Sequence, residues 1–498
     1  MSRLDSHPDR GLRAAFGALA FGVLLAGCAS THGIATQGKW LDADQLGTSR
    51  SFGAFSDAAF PAQHWWRAFG DPQLDALIDE ALAGTPTLDA ADARVQQAIA
   101  QAGLADSARK PSLGVGAQYA GIRIPETIAP APLGGAYKGI VLLSLNFKYD
   151  PDFWGVKHAK WQAALGQARA AEVDAQAARL TLVSNIASAY VVLAQAHAAH
   201  DVAIAEKARA SHLLDLSRQR DKAGLDSQLP LRQAETGIAS AQQQIEAAQQ
   251  QIYVTRNALA ALLGKGPDRG LDITKPVLLA APSPGVPAVL PSELLGHRPD
   301  VVAARWRVEA AQRGIQSSKA AFYPSVNLAG MIGLASGGLS NLFSANALLV
   351  QGGPAISLPI FDGGGLRNQL AKSNADYDLA VASYNQSLVT ALQEVADALQ
   401  FARSLDAQIA SARQAGDAAD AAWQLAQTRY HAGLGTQLDV LVAQQPLLQL
   451  DQQLAALQAQ RLTAAVDLDR ALGGGLDLVA PTSAVPDSNP DLAKAPTP

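Results

Sequence analysis

Side chains whose spacing would support chemistry are few in this sequence. His197 and His200 share one predicted helix face, but no third ligand lies near them and the other histidines are scattered. FDGGGLR, at 361–367, has the glycines of a phosphate loop, yet no Lys-Ser or Lys-Thr follows. No Ser/His/Asp or paired-carboxylate motif stands out. We therefore predict no catalytic, metal or cofactor site, a solvated face for the histidines and a glycine bend at 361–367.

The single cysteine, Cys28, has the most specific surroundings. It follows a basic start and the apolar run AAFGALAFGVLLAG, which is too short for a comfortable membrane span and is typical of a signal peptide. The stretch LLAGCAS resembles the bacterial lipobox, in which the chain is cleaved before a diacylated cysteine. We predict a signal peptide at 1–27 and a lipid anchor on Cys28. The alternative is a buried free cysteine after an unusual signal sequence.

Composition limits the partners. The chain has 498 residues, 48% of them hydrophobic and 17% charged, and these values are typical of a folded protein with a large core. Its formal net charge of −5 gives no reason to expect a polyanion. Nucleic-acid binding is therefore not predicted.

The chain contains an internal repeat. AGLDSQLPLRQA, from Ala223, and AGLGTQLDVLVA, from Ala432, share a register that holds over about a hundred residues around them. Upstream the spacing grows by four residues, and Pro111 then corresponds to Pro324. We predict an extended segment at 28–64, repeats at 65–265 and 291–474, a linker at 266–290 and a disordered Pro-rich tail at 475–498.

Each repeat changes its hydrophobic period twice. After a predicted helix at 85–108, apolar residues alternate with small or polar ones, which predicts two strands per repeat. The alternating residues are Leu113, Val115, Ala117 and Tyr119; Val141, Leu143, Leu145, Phe147 and Tyr149; Val326, Leu328, Ile332 and Leu334; and Ile356, Leu358 and Ile360. Pro354 and Pro359 weaken the last strand unless they lie at a bulge or an end. The strand length suits a tilted membrane strand, and a soluble half-buried sheet is the alternative.

Long helices follow the strands. Residues 156–222 contain no proline, and a helix of that length spans about 100 Å. Gly224 is predicted to form a left-handed cap and Ser227 to cap the returning helix, which continues with a coiled-coil heptad pattern. In the second repeat Pro446 is predicted to kink the returning helix. Four strands per chain cannot close a barrel, so oligomerisation is expected. Two chains would supply eight strands with a filled interior, and three would supply twelve strands around an aqueous bore.

Several stretches together resemble a known family. They are WWRAFGDPQLDALIDEAL (65–82), YDPDFWG (149–155), LPSELLGHRPDVVAA (290–304), FYPSVNLAG (322–330), SLPIFDGGGLR (357–367), EVADAL (394–399) and the two AGL turns. They resemble the TolC-like outer-membrane factors, in the lipid-anchored branch that serves resistance-nodulation-division (RND) efflux pumps. This resemblance implies an α+β membrane protein, a homotrimer whose twelve-stranded outer-membrane barrel continues as a periplasmic α-helical coiled-coil barrel. It also implies a passive duct for small molecules, delivered by an inner-membrane RND transporter through a periplasmic adaptor.

The resemblance assigns roles to the helix turns. In this family the turns form the periplasmic tip, so the residues expected to dock the adaptor are Gly224, Leu225, Ser227, Gly433, Leu434 and Thr436. Family members carry aspartates in a pattern like LDVLD after the second turn, where this chain reads LDVLV. The implied gate is therefore Leu438, Asp439 and Val442, with Tyr430 as a residue that holds it shut. We expect three Asp439 carboxylates to favour cations.

Two other functions fit parts of the sequence. A periplasmic adaptor also combines a lipobox with a coiled-coil hairpin, but it would have one hairpin and no duplicated copy with membrane-type strands. A conduit of the same fold that secretes protein or polysaccharide is harder to separate from an efflux channel. The lipid anchor and the motifs favour small-molecule efflux.

Overall fold

The structure is a computed structural model that describes residues 31, 33–42, 46–47, 60–128, 130, 132, 134–225, 227–277 and 294–475. The predicted signal peptide at 1–27 and the predicted anchor at Cys28 lie outside the described residues. So do most of the predicted linker at 266–290 and, except for its first residue, the tail at 475–498.

The chain folds into two compact units, and each takes residues from both repeats. One comprises the described residues of Met1–Trp40, Val95–Ala171 and Ala304–Tyr384; the other comprises those of Leu41–Arg94, Glu172–Ala303 and Asn385–Pro498. The folding units are therefore not the sequence repeats themselves.

The elements follow the predicted order. In chain order they are α1 (Pro72–Ala83), α2 (Pro86–Ser107), β1 (Ser112–Arg123), β2 (Tyr137–Tyr149), α3 (Val156–Lys222), α4 (Gln228–Leu262), α5 (Asp268–Leu271), α6 (Leu294–His297), α7 (Pro299–Ala320), β3 (Ser325–Ser336), β4 (Leu348–Ser357), α8 (Gly365–His431) and α9 (Gln437–Ala471). The two long helices, α3 and α8, have 67 residues each. Glycines with positive φ precede both, Gly155 before α3 and Gly363 and Gly364 before α8, which confirms the predicted glycine bend.

The four strands form one antiparallel sheet in the order β1-β2-β3-β4. Its register aligns Val115, Leu145, Ile332 and Val350 in a single row across the sheet. All four side chains are exposed on the chain itself, and Val115 retains 76% of its accessible surface. The adjacent row consists of Gly116, Ser144, Gly333 and Leu349, and all but Leu349 are small or polar. The predicted alternation therefore produces one apolar face and an opposite face that is mostly small or polar.

The end of the last strand differs from the prediction. β4 ends at Ser357, so Leu358 and Ile360 are not strand residues as predicted, and Pro359 follows the strand. The apolar alternation continues past the strand, but proline has no N–H to continue the ladder. Pro354 does lie within β4, opposite Leu328. Among the described strands β4 pairs with β3 alone, and proline is tolerated on such an edge strand.

The core of the second unit is built around the start of α1. Asp71 caps this helix by accepting the Gln73 N–H at 2.9 Å, and Pro72 occupies its first position. The fully buried Tyr190 hydroxyl on α3 donates to Asp71 at 2.7 Å and accepts from the Gln73 amide at 2.6 Å. Burial of the phenol raises the pKa of Tyr190. By length and composition α3 meets the criteria for a membrane span, but half of its most apolar window is buried, as in a core helix.

A second motif also serves the fold. Arg298, in the GHRPD sequence before α7, is buried and pairs with Asp300 at 2.7 Å and Glu394 at 2.8 Å. It donates as well to the carbonyl of Ala471 at 3.1 Å. The GHRPD and EVADAL stretches therefore meet around one guanidinium group, whose desolvation these partners compensate.

Candidate functional site: the two helix turns

Both helix turns end their long helices in the same way. In the first turn (223–227), Gly224 has φ +67°, and in the second turn (432–436), Gly433 has φ +72°. The next residue donates five residues back, from Leu225 to Arg220 and from Leu434 to Arg429, at 2.9 Å in each case. This is a Schellman cap, and it accounts for both glycines because the left-handed conformation disfavours other residues.

The cap does not account for the leucines. The residue after the glycine of a Schellman cap commonly packs back onto its helix. Leu225 and Leu434 instead remain 68% and 73% exposed on the chain. Two exposed leucines at equivalent positions, one on each turn, are candidate contacts for a protein partner.

The two returning helices begin differently. Thr436 caps α9: its hydroxyl accepts the Asp439 N–H at 3.2 Å, and the Asp439 carboxylate accepts the Thr436 N–H at 2.7 Å. This is a reciprocal capping box. Ser227 occupies the same position before α4 but makes no side-chain cap bond, contrary to the prediction. Pro230, the third helical residue, has no N–H for Ser227 to accept.

Asp439 therefore has a local structural role that the gate interpretation overlooked. Its carboxylate is fully exposed. Two hydrogen bonds to this carboxylate lower the pKa of Asp439, and the one from the Thr436 backbone N–H contributes more than the one from the Thr436 hydroxyl. The side chain is thus ionised at neutral pH. The sequence signal was the Thr-x-x-Asp spacing itself.

The other predicted gate residues lie on exposed surface of α8 and α9. Leu438 and Val442 are one helical turn apart and exposed, and Tyr430 is exposed at the end of α8. Between them Leu441 is buried. The exposed face of α9 therefore carries Leu438, Asp439 and Val442, while Leu441 packs inward.

A buried arginine ties this start of α9 to α3. The Arg209 side chain is 7% exposed, and it contacts both carboxylate oxygens of Glu206 at 2.6 and 2.8 Å. Its remaining terminal nitrogen, Nη1, donates to the carbonyl of Leu441 at 3.0 Å. Sequence reasoning missed this link, because an arginine bound to a distant backbone carbonyl leaves no pattern in the sequence.

Pro446 lies one turn further along α9. The helix runs through it without interruption. Because proline has no N–H, the carbonyl of Val442 lacks its usual helical donor. The Arg209 hydrogen bond therefore holds α9 next to the position where one backbone hydrogen bond of this helix is missing.

The two histidines do not lie on a solvated face as predicted. Both are partly buried, and Nε2 of His197 is buried without a partner among the described residues. The pKa of His197 is lowered mainly by burial, and the positive charges of Arg256 and Lys275 lower it further. Within the described ranges no group of three or more His, Cys, Asp or Glu side chains could hold a metal.

Comparisons with known proteins agree with this architecture. Residues 77–265 and 290–474 match the model of the outer membrane efflux protein family. The fusaric acid resistance protein FusA of Burkholderia cepacia is 38% identical over 72% of this chain and 69% of its own length. The multidrug resistance outer membrane protein MdtP of Escherichia coli is 30% identical over 91% of this chain and 94% of its own length. The crystal structure of the outer membrane protein VceC of Vibrio cholerae, 38% identical, superposes with a TM-score of 0.76 over 84% of this chain and all of that one.

Proposed function

Because this chain belongs to the outer membrane efflux protein family, we propose that it is the passive outlet duct of a tripartite pump. In this proposal an inner-membrane RND transporter delivers small molecules through a periplasmic adaptor, and a homotrimer of this chain conducts them across the outer membrane. The TolC-like fold predicted from the sequence is confirmed by the family match and by the solved structures.

One observation carries the proposal. The sheet has an exposed apolar row, Val115 to Val350, and two edge strands, β1 and β4, each of which pairs with only one strand among the described residues. Open edges are not tolerated in lipid, so the sheet requires further copies of itself. Three chains would close twelve strands around an aqueous bore.

The turns supply the adaptor contact in this proposal. Gly224 and Gly433 shape the two turns, Ser227 and Thr436 begin the returning helices, and Leu225 and Leu434 are the exposed apolar contacts. We propose that Leu438, Asp439, Val442 and Tyr430 form the periplasmic gate, with Cys28 as the lipid anchor. The relatives named for resistance support small-molecule efflux over secretion of protein or polysaccharide.

The function is tested in a strain that lacks its own outer-membrane channels. The wild-type gene, expressed with its cognate transporter and adaptor, is expected to raise the minimal inhibitory concentration of exported antimicrobials several-fold. Fusaric acid is the first compound to try, because FusA is named for resistance to it. Unchanged susceptibility together with loss of a secreted protein or polysaccharide in a deletion strain would support the secretion alternative.

The docking surface is tested separately. The double variant Leu225→Glu, Leu434→Glu places charge on both exposed leucines and is expected to abolish cross-linking to the adaptor while leaving the trimer intact. Leu425→Glu, at another exposed leucine on α8, is the matched control. Normal efflux by the double variant would contradict the docking proposal.

A further inference from the structure

The first unit contains a cavity that the efflux function does not use. It lies among the N-terminal segment 33–42, α7 and α8, and its volume is about 350 Å³. Two of its lining residues, Ile315 and Asn374, are buried. The other lining residues are Ile34, Ala35, Thr36, Gln312, Gln316, Lys319 and Tyr377. This volume lies within the range of small-ligand sites.

The N-terminal segment is fixed over this cavity. The Asp378 carboxylate accepts the backbone N–H of Gln37 at 2.9 Å and that of Gly38 at 2.7 Å. A Cβ at Gly38 would lie 3.0 Å from the same carboxylate, so the close approach favours glycine. Trp40 adds a hydrogen bond from its indole N–H to the Tyr377 hydroxyl at 3.2 Å. The cavity is therefore a built feature with a tethered wall.

The polar groups that line the cavity offer donors. Tyr377 accepts from Trp40, so its own O–H is left to donate. The side-chain oxygen of Gln316 accepts from Arg313 at 3.1 Å, which leaves its NH₂ group. Nδ2 of the buried Asn374 has no partner among the described residues. The nearby Asp378 carboxylate is already engaged by backbone N–H groups.

Lys319 adds the charge. Its ammonium group makes no ion pair or side-chain hydrogen bond within the part of the chain that the structure describes. One cation beside several amide and hydroxyl donors is the chemistry that binds a phosphate or carboxylate. Ile34 and Ile315 provide an apolar wall beside these donors.

The position of the cavity indicates where the anion comes from. Tyr323, one helical turn beyond Lys319, stacks on Trp154 with ring centroids 4.8 Å apart, and β3 begins two residues later. Both rings are about half exposed. Exposed Tyr and Trp at the end of a membrane strand are typical of the lipid headgroup level. Lys319 is therefore at headgroup depth.

We propose that this cavity binds the phosphate of an anionic phospholipid from the periplasmic leaflet of the outer membrane. The proposal rests on the membrane placement of the sheet in the proposed function. The donors hold the phosphodiester, and the apolar wall lies beside the glycerol. A zwitterionic lipid is expected to bind less well, because its ammonium group adds a second positive charge beside Lys319.

The test uses full-length trimers that have been stripped of lipid in detergent. Phosphatidylglycerol or phosphatidylethanolamine is added back, and bound lipid is counted by native mass spectrometry. We expect one tightly bound phosphatidylglycerol per chain in the wild type, and a loss of affinity of about ten-fold or more in Lys319→Gln. Lys319→Arg is expected to restore binding, and Tyr377→Phe to weaken it several-fold.

Lys110→Gln is the matched control. Lys110 lies at the corresponding helix–strand junction before β1, but it pairs with Asp106 and does not line this cavity. Equal binding by wild type and Lys319→Gln would overturn the proposal, as would equal binding of both lipids. Displacement by excess free glycerol phosphate, with no preference for the lipid, would identify a soluble anion instead. If wild-type trimers retained phosphatidylglycerol but conferred no efflux in cells, the result would count against the proposed function and not against this site.

Discussion

Asp439 has two separable roles, as the reciprocal cap of Thr436 and as the charge of the proposed gate. Asparagine keeps an oxygen that accepts the Thr436 N–H but removes the charge. We therefore expect Asp439→Asn trimers to lose cation preference, measured by reversal potential in planar bilayers, with little change in thermal stability. Asp439→Ala is expected to lose the cation preference and also some thermal stability, because alanine removes both the charge and the capping oxygen.

Thr436→Ala is the control for that experiment, because it removes the hydroxyl partner but keeps the carboxylate. It is expected to loosen the start of α9 while cation preference persists. If Asp439→Asn conducted with the cation preference of the wild type, the role of this residue would be limited to capping.

Asp469 on α9 predicts a pH-dependent stability. Burial raises the pKa of Asp469 to about 7, and the corresponding residue of the first repeat is the fully buried Ala260. An unfolded aspartate has a pKa of about 3.9. Between these two values the folded state holds a proton that the unfolded state releases, so stability falls as the pH rises. Above about pH 7 the full cost of the buried charge is present.

We expect Asp469→Asn to raise the melting temperature at about pH 8 and to change it little at about pH 4, because the folded carboxyl is neutral at the lower pH and the unfolded one is only about half ionised. The measurement is thermal melting of purified trimers across this range. Asp451→Asn, at an exposed position of the same helix, is the control. A gain of equal size at both pH values would show that the effect is not due to this ionisation.

At the scale of elements, the Arg209 link predicts how firmly the start of α9 is held. Loss of a buried, charge-assisted hydrogen bond costs about 2 kcal/mol, and Pro446 already leaves the carbonyl of Val442 without its helical donor. We expect Arg209→Met channels to open more often in bilayers. Cells carrying them should become several-fold more susceptible to a large antibiotic that an intact outer membrane excludes.

Two further variants make that test specific. Arg209→Met combined with Glu206→Gln leaves no unpaired carboxylate, so it separates loss of the link from burial of a lone charge. Arg218→Met removes an exposed arginine of the same helix, whose nearest acid, Asp215, is 3.8 Å away. Unchanged opening in the double variant would show that the link does not hold the gate.

Local signals predicted the elements well. The range of α3 follows from an uninterrupted run without proline, and both turns follow from glycines that adopt the left-handed conformation. The error at β4 has a local cause too, since apolar alternation continues through Leu358 and Ile360 while Pro359 stops the ladder. Ser227 failed as a cap for a similar reason, the proline three residues later.

Contacts between distant segments could not be predicted in this way. Arg209 and Leu441 are 232 residues apart, and the bond reaches a backbone carbonyl, which no residue type marks. The cavity beside Lys319 is formed by three separate segments. The ligand that it can bind depends on which lining donors are not already used in hydrogen bonds within the protein. Such features depend on packing and not on local spacing.

At the scale of the whole molecule, the proposed barrel and the proposed lipid anchor would attach the protein to the membrane with very different strengths. A single acyl chain gives only marginal, reversible binding, and two chains give a stable anchor. A closed barrel satisfies every backbone hydrogen bond within lipid, so its removal exposes many unsatisfied groups. Placement in the outer membrane is therefore expected to depend mainly on the barrel.

We expect a Cys28→Ser chain, with residues 1–27 replaced by an ordinary cleavable secretory signal, to remain an outer-membrane trimer that resists dissociation until heated. It should incorporate no labelled palmitate, whereas the wild type should.

Val350→Lys, which places a charge on the exposed apolar row, is expected to reduce trimer insertion strongly, because a charge at that face costs about 2–4 kcal/mol per chain. Loss of the Cys28→Ser trimer from the outer membrane, with Val350→Lys retained, would reverse the order of importance. Absence of palmitate from the wild type would remove the anchor from the proposal without affecting the channel.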